Sequence, residues 1–250
     1  MENNNDLKDV RLSVVIPAFN EASRISETLV SIDNFLSRVD YNYEIIVVDD
    51  GSTDDTKAIV QKFMETIPKL TIISNNENNG KGFVVRQGLL AAKGKYRLFM
   101  DADNSTTIDQ FTTFEPFLDE ADVLIGSRAL KNSRLIPPQP WYRQVPGKIG
   151  NIIFQILLLR GLWDTQCGFK VFNEKVIKIV APEMRITRWG FDVEMLSLAK
   201  HAGFKIKELP VLWENKLFSH VKAITYLQVL IETFKIRWWL STKKYNLSTK

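Results

Sequence analysis

Residues 44–56 read EIIVVDDGSTDDT, and this stretch decides the fold class. Glu44–Val48 is a short apolar run rich in β-branched side chains, too short for a buried helix and suited to a buried strand. Asp49-Asp50-Gly51-Ser52 closes it with turn-forming residues, and Thr53 or Asp54 can cap a helix running to Met64. The same unit recurs on both sides. Leu12–Ile16 (LSVVI) is a strand stopped by Pro17, with a helix over Glu21–Leu36. Leu70–Ile73 is a third strand, followed by a helix over Gly82–Ala92. Tyr96–Met100 (YRLFM) is a fourth, ending at Asp101-Ala102-Asp103; a helix over Asp109–Leu118 and a strand over Val123–Ile125 follow. Strands alternating with helices predict an α/β fold, a Rossmann-like, mostly parallel central sheet flanked by helices. Ligands of such sheets bind at the carboxyl ends of the strands. Those ends carry Asn20-Glu21, Asp49-Asp50, Asn79–Lys81 and Asp101–Asp103.

The second half is less regular. Pro137-Pro138-Gln139-Pro140 breaks the chain, Lys148–Leu159 reads as a strongly apolar helix, and Asp164–Lys170 (DTQCGFK) as a polar turn entering a short strand. A helix over Phe191–Ala202 and a strand over Lys205–Leu209 follow. Val221–Leu240 is a final amphipathic helix, with Thr225, Gln228, Glu232 and Lys235 on one stripe and Ile224, Leu227, Ile231, Phe234 and Trp238 on the other.

Composition limits the function classes. With 250 residues, 45% hydrophobic and 25% charged, the chain is neither disordered nor a polytopic membrane protein. A single cysteine, Cys167, excludes a disulfide framework and points to a reducing compartment. The net charge of +4 is uneven: residues 221–250 hold six positive side chains against Glu232, so the remainder sums to −1. A basic tail rich in Trp and Leu suits a membrane surface better than nucleic acid; the alternative is a helix packed on the protein's own core. Residues 1–9 contain no apolar core of a signal peptide, and no stretch reaches the roughly 20 apolar residues of a membrane span.

Several side chains carry candidate chemistry. Asp101 and Asp103, one residue apart at a strand end, can approach one divalent ion, Mg²⁺ or Mn²⁺, or simply cap the next turn. Asp49 and Asp50 can accept hydrogen bonds from a nucleoside or form an Asx turn. Lys81, between Gly80 and Gly82 at a helix start, suits phosphate; its alternative is a solvated lysine. Asp164 is either a carboxylate at the reacting centre or another turn residue. Arg128 and Arg143 are candidate clamps on an acceptor phosphate. Cys167 has no recognisable partner and reads as a small buried hydrophobe.

In order, VVIPAFNE (14–21), IIVVDDGSTDDT (45–56), NNGKG (78–82), LFMDADNS (98–105) and GSR (126–128) resemble the motifs of family 2 glycosyltransferases. DTQCGFKVF (164–172) and WGFDVE (189–194) resemble the branch that loads sugars onto polyprenyl or dolichyl phosphate, particularly the dolichyl-phosphate β-glucosyltransferases. The resemblance implies a GT-A fold over residues 10–220, with a nucleotide-sugar half (10–128), an acceptor half (129–220), amphipathic interfacial helices in the C-terminal half and a basic helix and tail over 221–250. It implies an inverting transfer of a hexose, glucose from UDP-glucose, to a lipid phosphate. GDP-mannose or UDP-N-acetylhexosamine as donor and a glycan as acceptor are alternatives. Pro17, Phe19, Glu21, Asp50, Lys81 and Asp101 match donor-binding positions, Asp101 and Asp103 the metal motif, and Asp164 the position near sugar and acceptor. Where relatives carry Gly-Ser-Lys before the last helix, Phe218-Ser219-His220 stands here, so His220 or Lys222 is expected to take over the phosphate contact. The implied location is the cytoplasmic face of a membrane, held peripherally. Two other classes compete: a haloacid-dehalogenase-type phosphatase, whose DxD follows the first strand rather than the fourth, and a catalytically dead nucleotide-sugar or membrane-binding module. No GxGxxG follows the first strand, which argues against a dinucleotide oxidoreductase.

Overall fold

The computed structural model describes residues 10–137, 141–215 and 223–247, and within helices it leaves out the side chains of residues 141–146, 148, 223 and 224. Five strands come from the alternating first half: β1 (Leu12–Ala18), β2 (Tyr43–Asp49), β3 (Leu70–Ser74), β4 (Tyr96–Met100) and β5 (Val123–Ser127). The helices between them are α1 (Ile25–Leu36), α2 (Thr56–Met64), α3 (Lys81–Ala91) and the single turn α4 (Phe111–Phe114). The expected helix over 109–118 is broken into α4 and two flanking 3₁₀ turns, Ile108–Gln110 and Glu115–Phe117. Pro116 falls inside this stretch, and its ring is incompatible with a continuous helix there. Pro17 does not stop β1; it pairs with Val48 inside the strand. The β4 side of β1 is paired only as far as Val15, so a residue lacking an N–H is tolerated at Pro17.

After β5 come β6 (Arg134–Ile136), α5 (Trp141–Leu157), β7 (Phe169–Asn173), α6 (Glu174–Val180), α7 (Phe191–His201), β8 (Ile206–Pro210), β9 (Leu212–Glu214) and α8 (Ala223–Ser241). The main sheet has seven strands in the order β3-β2-β1-β4-β7-β5-β8, and β6 and β9 form a separate parallel pair. All pairings in the main sheet are parallel except those of β7, which runs antiparallel between β4 and β5. The strand order reverses at β1, where β2 and β4 flank it, and this is the switch point at which open α/β sheets bind ligands.

Each face of the sheet carries a core. Val84, Val85 and Leu89 of α3, Phe191 and Leu196 of α7, and Val229 and Ile236 of α8 pack on one face. Ile25, Leu29 and Ile32 of α1, Val60 of α2, and Phe111 and Phe114 pack on the other.

The last helix turns much of its apolar stripe outward rather than onto the protein's own core. Thr225, Glu232 and Thr233 are buried beside Val229 and Ile236. Leu227, Ile231, Phe234 and Trp238 are 49–53% exposed. Glu232 turns inward because it finds donors there, while Lys235 of the same stripe stays exposed: Glu232 Oε2 accepts the Gly190 N–H at 2.7 Å, and Gln228 holds the other oxygen at 3.0 Å. Helix α5 packs against α8 and likewise turns Ile149, Ile152 and Ile156 outward. Among the described residues no helix is long and apolar enough to cross a membrane.

Candidate active site

The carboxyl ends of β1, β2 and β4 and the entry to β7 meet at one edge of the sheet. Asp101 follows β4, and its N–H donates to the Gly168 carbonyl at 3.1 Å. A Cβ on Gly168 would lie 1.9 Å from Asp101 Oδ2, so the side chain of the DxD motif rests on the bare backbone of the CGFK motif. Asp101 Oδ1 meets the Lys81 ammonium at 2.6 Å. Burial favours the neutral amine at Lys81, but Asp101 outweighs it and raises the lysine pKa above the ordinary value. Asp103 accepts the Ser105 N–H at 2.9 Å, an Asx turn, and Asn104 between the two takes a left-handed φ of 56°. Glu21 pairs with Arg24 at 2.6 Å. Burial raises the Glu21 pKa, Arg24 opposes that, and Asp103 and Asp101 add to it, which puts the three acids in one field.

The loops that follow β1, β2 and β3 are stitched together by the motif residues themselves. Asn20, at φ 55°, accepts the Thr53 N–H at 2.9 Å, and its own N–H donates to Ser52 Oγ at 2.9 Å. Asp49 accepts the Ser52 N–H at 3.3 Å. Asp50 accepts the Asn79 and Gly80 N–H groups at 2.8 and 2.9 Å and so fixes the glycine loop. Burial nonetheless raises its pKa. Gly80 and Gly82 serve chain packing: a Cβ would come within 2.4 Å of the Thr187 carbonyl at the first and 2.6 Å of Phe191 Cβ at the second. Pro17 is buried in β1, whereas Phe19 at the strand's mouth is exposed.

Asp164 and Arg128 form a bidentate pair, with Nε at 2.7 Å from Oδ2 and Nη2 at 2.9 Å from Oδ1. The Arg128 and Gln166 N–H groups also donate to Asp164. Burial alone would raise the Asp164 pKa; Arg128 reverses it and holds the carboxyl below the usual carboxylate range. The Arg128 edge expected to clamp an acceptor phosphate is thus half taken by Asp164, leaving Nη1. Cys167 is fully buried, as expected, and burial pushes its thiol up to about 12.

Three residues not singled out from sequence, Lys170, Asp192 and Glu194, complete the cluster. Lys170 is wholly buried, and its ammonium meets the Cys167 carbonyl and Asp192 Oδ1, each at 2.5 Å. The signal was a lysine inside the strand FKVF, where a buried charge demands a partner. Asp192 and Glu194 were visible within WGFDVE, but no spacing rule names their partners. Glu194 accepts the Arg185 and Ile186 N–H groups and the Tyr245 hydroxyl at 2.7–3.0 Å, tying residues 185–190 and the C-terminal segment together. Arg143 lies on α5 with its side chain outside the described part, and His220 and Lys222 lie outside the described residues.

Among the described residues no three His, Cys, Asp or Glu side chains group as metal ligands. Two carboxylates at a strand end, with Asp101 seated in a cradle a Cβ would fill, fit an oxygen-loving divalent cation that draws its other ligands from substrate phosphates.

Comparison with known proteins agrees with this geometry. The family model "Glycosyl transferase family 2" matches residues 13–179. The chain is 34% identical over 226 residues to a dolichyl-phosphate beta-glucosyltransferase of Dictyostelium discoideum, covering 85% of this chain and 69% of that one. Mannosyl-3-phosphoglycerate synthase from Rubrobacter xylanophilus superposes with a TM-score of 0.71 at 17% identity, covering 95% of this chain and 76% of that one. The mannosyltransferase PcManGT from Pyrobaculum calidifontis, solved with GDP-Man and Mn²⁺, gives 0.60 at 18% identity over 97% and 67%. These last two share the fold. With its sheet order, its DxD at the switch point and a family match over most of its length, the chain belongs to glycosyl transferase family 2.

Proposed function

We propose that the protein is an inverting, metal-dependent transferase that moves a hexose from a nucleotide sugar to a polyprenyl or dolichyl phosphate. The sugar is glucose, following the name of the relative above, and the donor UDP-glucose, as the resemblance of the motifs implies. The observation that carries the reading is the seating of Asp101 on Gly168, because it fuses the DxD motif with DTQCGFK in one site.

Asp101 and Asp103 would hold Mg²⁺ or Mn²⁺, whose charge offsets that developing on the departing nucleoside diphosphate. Support for this metal comes from the Mn²⁺ bound by the fold relative PcManGT. Phe19 offers its exposed ring to the nucleobase, while Pro17, Glu21 and Asp50 shape and brace the walls behind it. Lys81 faces the diphosphate. The buried, hydrogen-bond-free side-chain atoms Asn104 Oδ1, Ser105 Oγ, Ser127 Oγ and Thr165 Oγ1 suit sugar hydroxyls, since each orphaned group costs about 1–3 kcal/mol until it is partnered.

A phosphate acceptor is already ionised near neutral pH and needs no general base. Asp164, saturated by four N–H donors, fits that chemistry as a positioning residue: it aims Arg128, whose Nη1 is left for the acceptor phosphate. Arg143, His220 and Lys222 remain further phosphate contacts of this reading. In-line attack on the anomeric carbon turns an α-linked donor into a β-linked product.

The outward apolar faces of α5 and α8, with Lys235 and Arg237 on the same helix, suit the cytoplasmic surface of a membrane where a lipid acceptor resides. The test is transfer of label from UDP-glucose, GDP-mannose or UDP-N-acetylglucosamine to a short polyprenyl phosphate, with Mn²⁺, Mg²⁺ or EDTA. Metal-dependent, organic-extractable β-glucoside is expected. Metal-dependent donor hydrolysis with no lipid product moves the acceptor to a glycan, and no donor turnover with any sugar refutes the reading.

A further inference from the structure

Lys81 does more than wait for a phosphate. Asp101 Oδ1 is shut off from solvent and has no well-aligned hydrogen bond; the Lys81 ammonium lies 2.6 Å away as a bare ion pair. The other carboxylate oxygen is pressed against Gly168. Oδ1 is thus covered by the lysine while the rest of the carboxylate stays partly exposed, and a cation that takes Oδ1 must first displace the ammonium. We propose that Lys81 is a tethered cation that occupies Asp101 until a divalent ion displaces it, so that the chain itself closes the metal half of the site. The inference rests on the reading of Asp101 and Asp103 as the cation site.

Three features make the exchange feasible. Asp103 and Glu21 share the field of Asp101, so an uncovered carboxylate there would face like charges. Lys81 starts α3 on a four-carbon stem and is partly exposed, so its ammonium can swing without moving backbone. A second acceptor stands by. Asp192 steadies the charged form of Lys81, and the lysine does the same for Asp192. Lys81 and Lys170 lie 5.6 and 5.4 Å from the centroid of the same Phe99 ring. Lys170 is fixed by its two acceptors and wholly buried, so it holds Asp192 in place while Lys81 remains the mobile member of the row.

The experiment is Mn²⁺ binding without nucleotide, read as loss of the free-ion electron paramagnetic resonance signal, on the full chain and its Lys81→Met and Asp101→Asn variants. Lys81→Met should bind Mn²⁺ about tenfold more tightly than the parent, because one partly buried ion pair no longer competes. Asp101→Asn should lose the binding. Equal or weaker binding by Lys81→Met, with the parent binding, overturns the proposal and leaves the metal site standing. Binding unchanged in Asp101→Asn, or none in any protein, overturns both. The unmutated chain gives an independent reading should Lys81→Met misfold. Labelling of Lys81 by an amine-reactive ester, mapped by mass spectrometry, should rise severalfold with Mn²⁺ while labelling of Lys57 and Lys62 stays constant. Unchanged Lys81 labelling at an Mn²⁺ concentration that saturates binding overturns the displacement.

Discussion

Replacing Gly168 by alanine isolates the seat of the DxD motif from the rest of the fold. The new Cβ would lie 1.9 Å from Asp101 Oδ2, 2.3 Å from Cγ and 2.8 Å from Oδ1. An ordinary contact needs about 3.4 Å, so the carboxylate must shift by about 1.5 Å. The Gly168 backbone lies outside the left-handed region, so alanine brings no φ strain. The atoms in the way belong to one short side chain at the rim of the site, and the expected cost in stability is about 1–2 kcal/mol, the lower part of the range for overpacking. Displacing a catalytic group by more than 1 Å costs about a hundredfold in rate. Gly168→Ala should therefore lower kcat/KM for sugar transfer about a hundredfold, weaken Mn²⁺-dependent donor binding, and keep a cooperative unfolding transition. Activity is read by the lipid-extraction assay and stability by urea unfolding. Near-normal turnover with unchanged metal dependence would show that Asp101 need not sit on Gly168 and that the two motifs act separately.

The Asp164–Arg128 pair predicts a pH signature. The folded pKa of Asp164 lies below its unfolded value of about 3.9, so the pair's contribution is complete above that value and lost as pH falls through the folded one. Asp164→Asn should cost about 3 kcal/mol at pH 7 by leaving Arg128 uncompensated, and the gap to the parent should narrow at pH 3 in urea titrations. An equal gap at both pH values counts against the pair. Replacing Ile231 and Phe234 on the outward face of α8 by Gln should weaken sedimentation with anionic phospholipid vesicles about thirtyfold, since each half-exposed side chain offers roughly 1 kcal/mol on burial. Their thermal midpoint should not fall; a marked drop would mean that the face packs inside the protein. The Cys167 thiol should resist a disulfide reagent at pH 8 until the chain unfolds, because it is buried and its pKa is pushed up to about 12. Rapid labelling of the native protein would refute its placement.

The strand–helix alternation was legible because apolar runs such as EIIVV and YRLFM end abruptly in polar residues, and these ends are where Asp50, Lys81 and Asp101 gather. The direction of β7 was not. The run FKVF pairs equally well either way, and only its insertion between β4 and β5 makes it antiparallel. The two-sidedness of α8 was legible but not which side faces in. An amphipathic pattern fixes the stripe's direction along the helix, whereas the inward partner of Glu232 is the Gly190 N–H, and a backbone donor leaves no mark in the sequence. The same holds at Asp50, where both carboxylate oxygens serve the Asn79–Gly80 backbone. The motifs mark the polar residues at the strand ends. Their spacing does not distinguish carboxylates that hold the loops, as Asp50 does, from those left to face outward.

That distinction bears on the chemistry. Around the switch point Asp50 is spent on two N–H groups, Asp164 on Arg128 and Gln166, Asp192 on Lys170, and Glu21 on Arg24. A site that must deprotonate an alcohol needs a carboxylate or histidine with its proton-accepting lone pair directed at the substrate and a pKa raised toward neutrality. Asp164 is the residue nearest that role by motif, and it is built the opposite way, with its pKa held down by a bidentate arginine. An acceptor that arrives already ionised removes the need for a base and replaces it with a need for cations. The cations here are held in pairs with acids, Lys81 with Asp101 and Arg128 with Asp164, so that each can present charge to a phosphate without the site carrying a large positive excess when empty. On this argument a hydroxyl acceptor should be a poor substitute even where it fits sterically. Offering the matching polyprenol in place of its phosphate should give no product at any pH up to 9, and appreciable transfer to the alcohol would show that one of these paired carboxylates can act as a base.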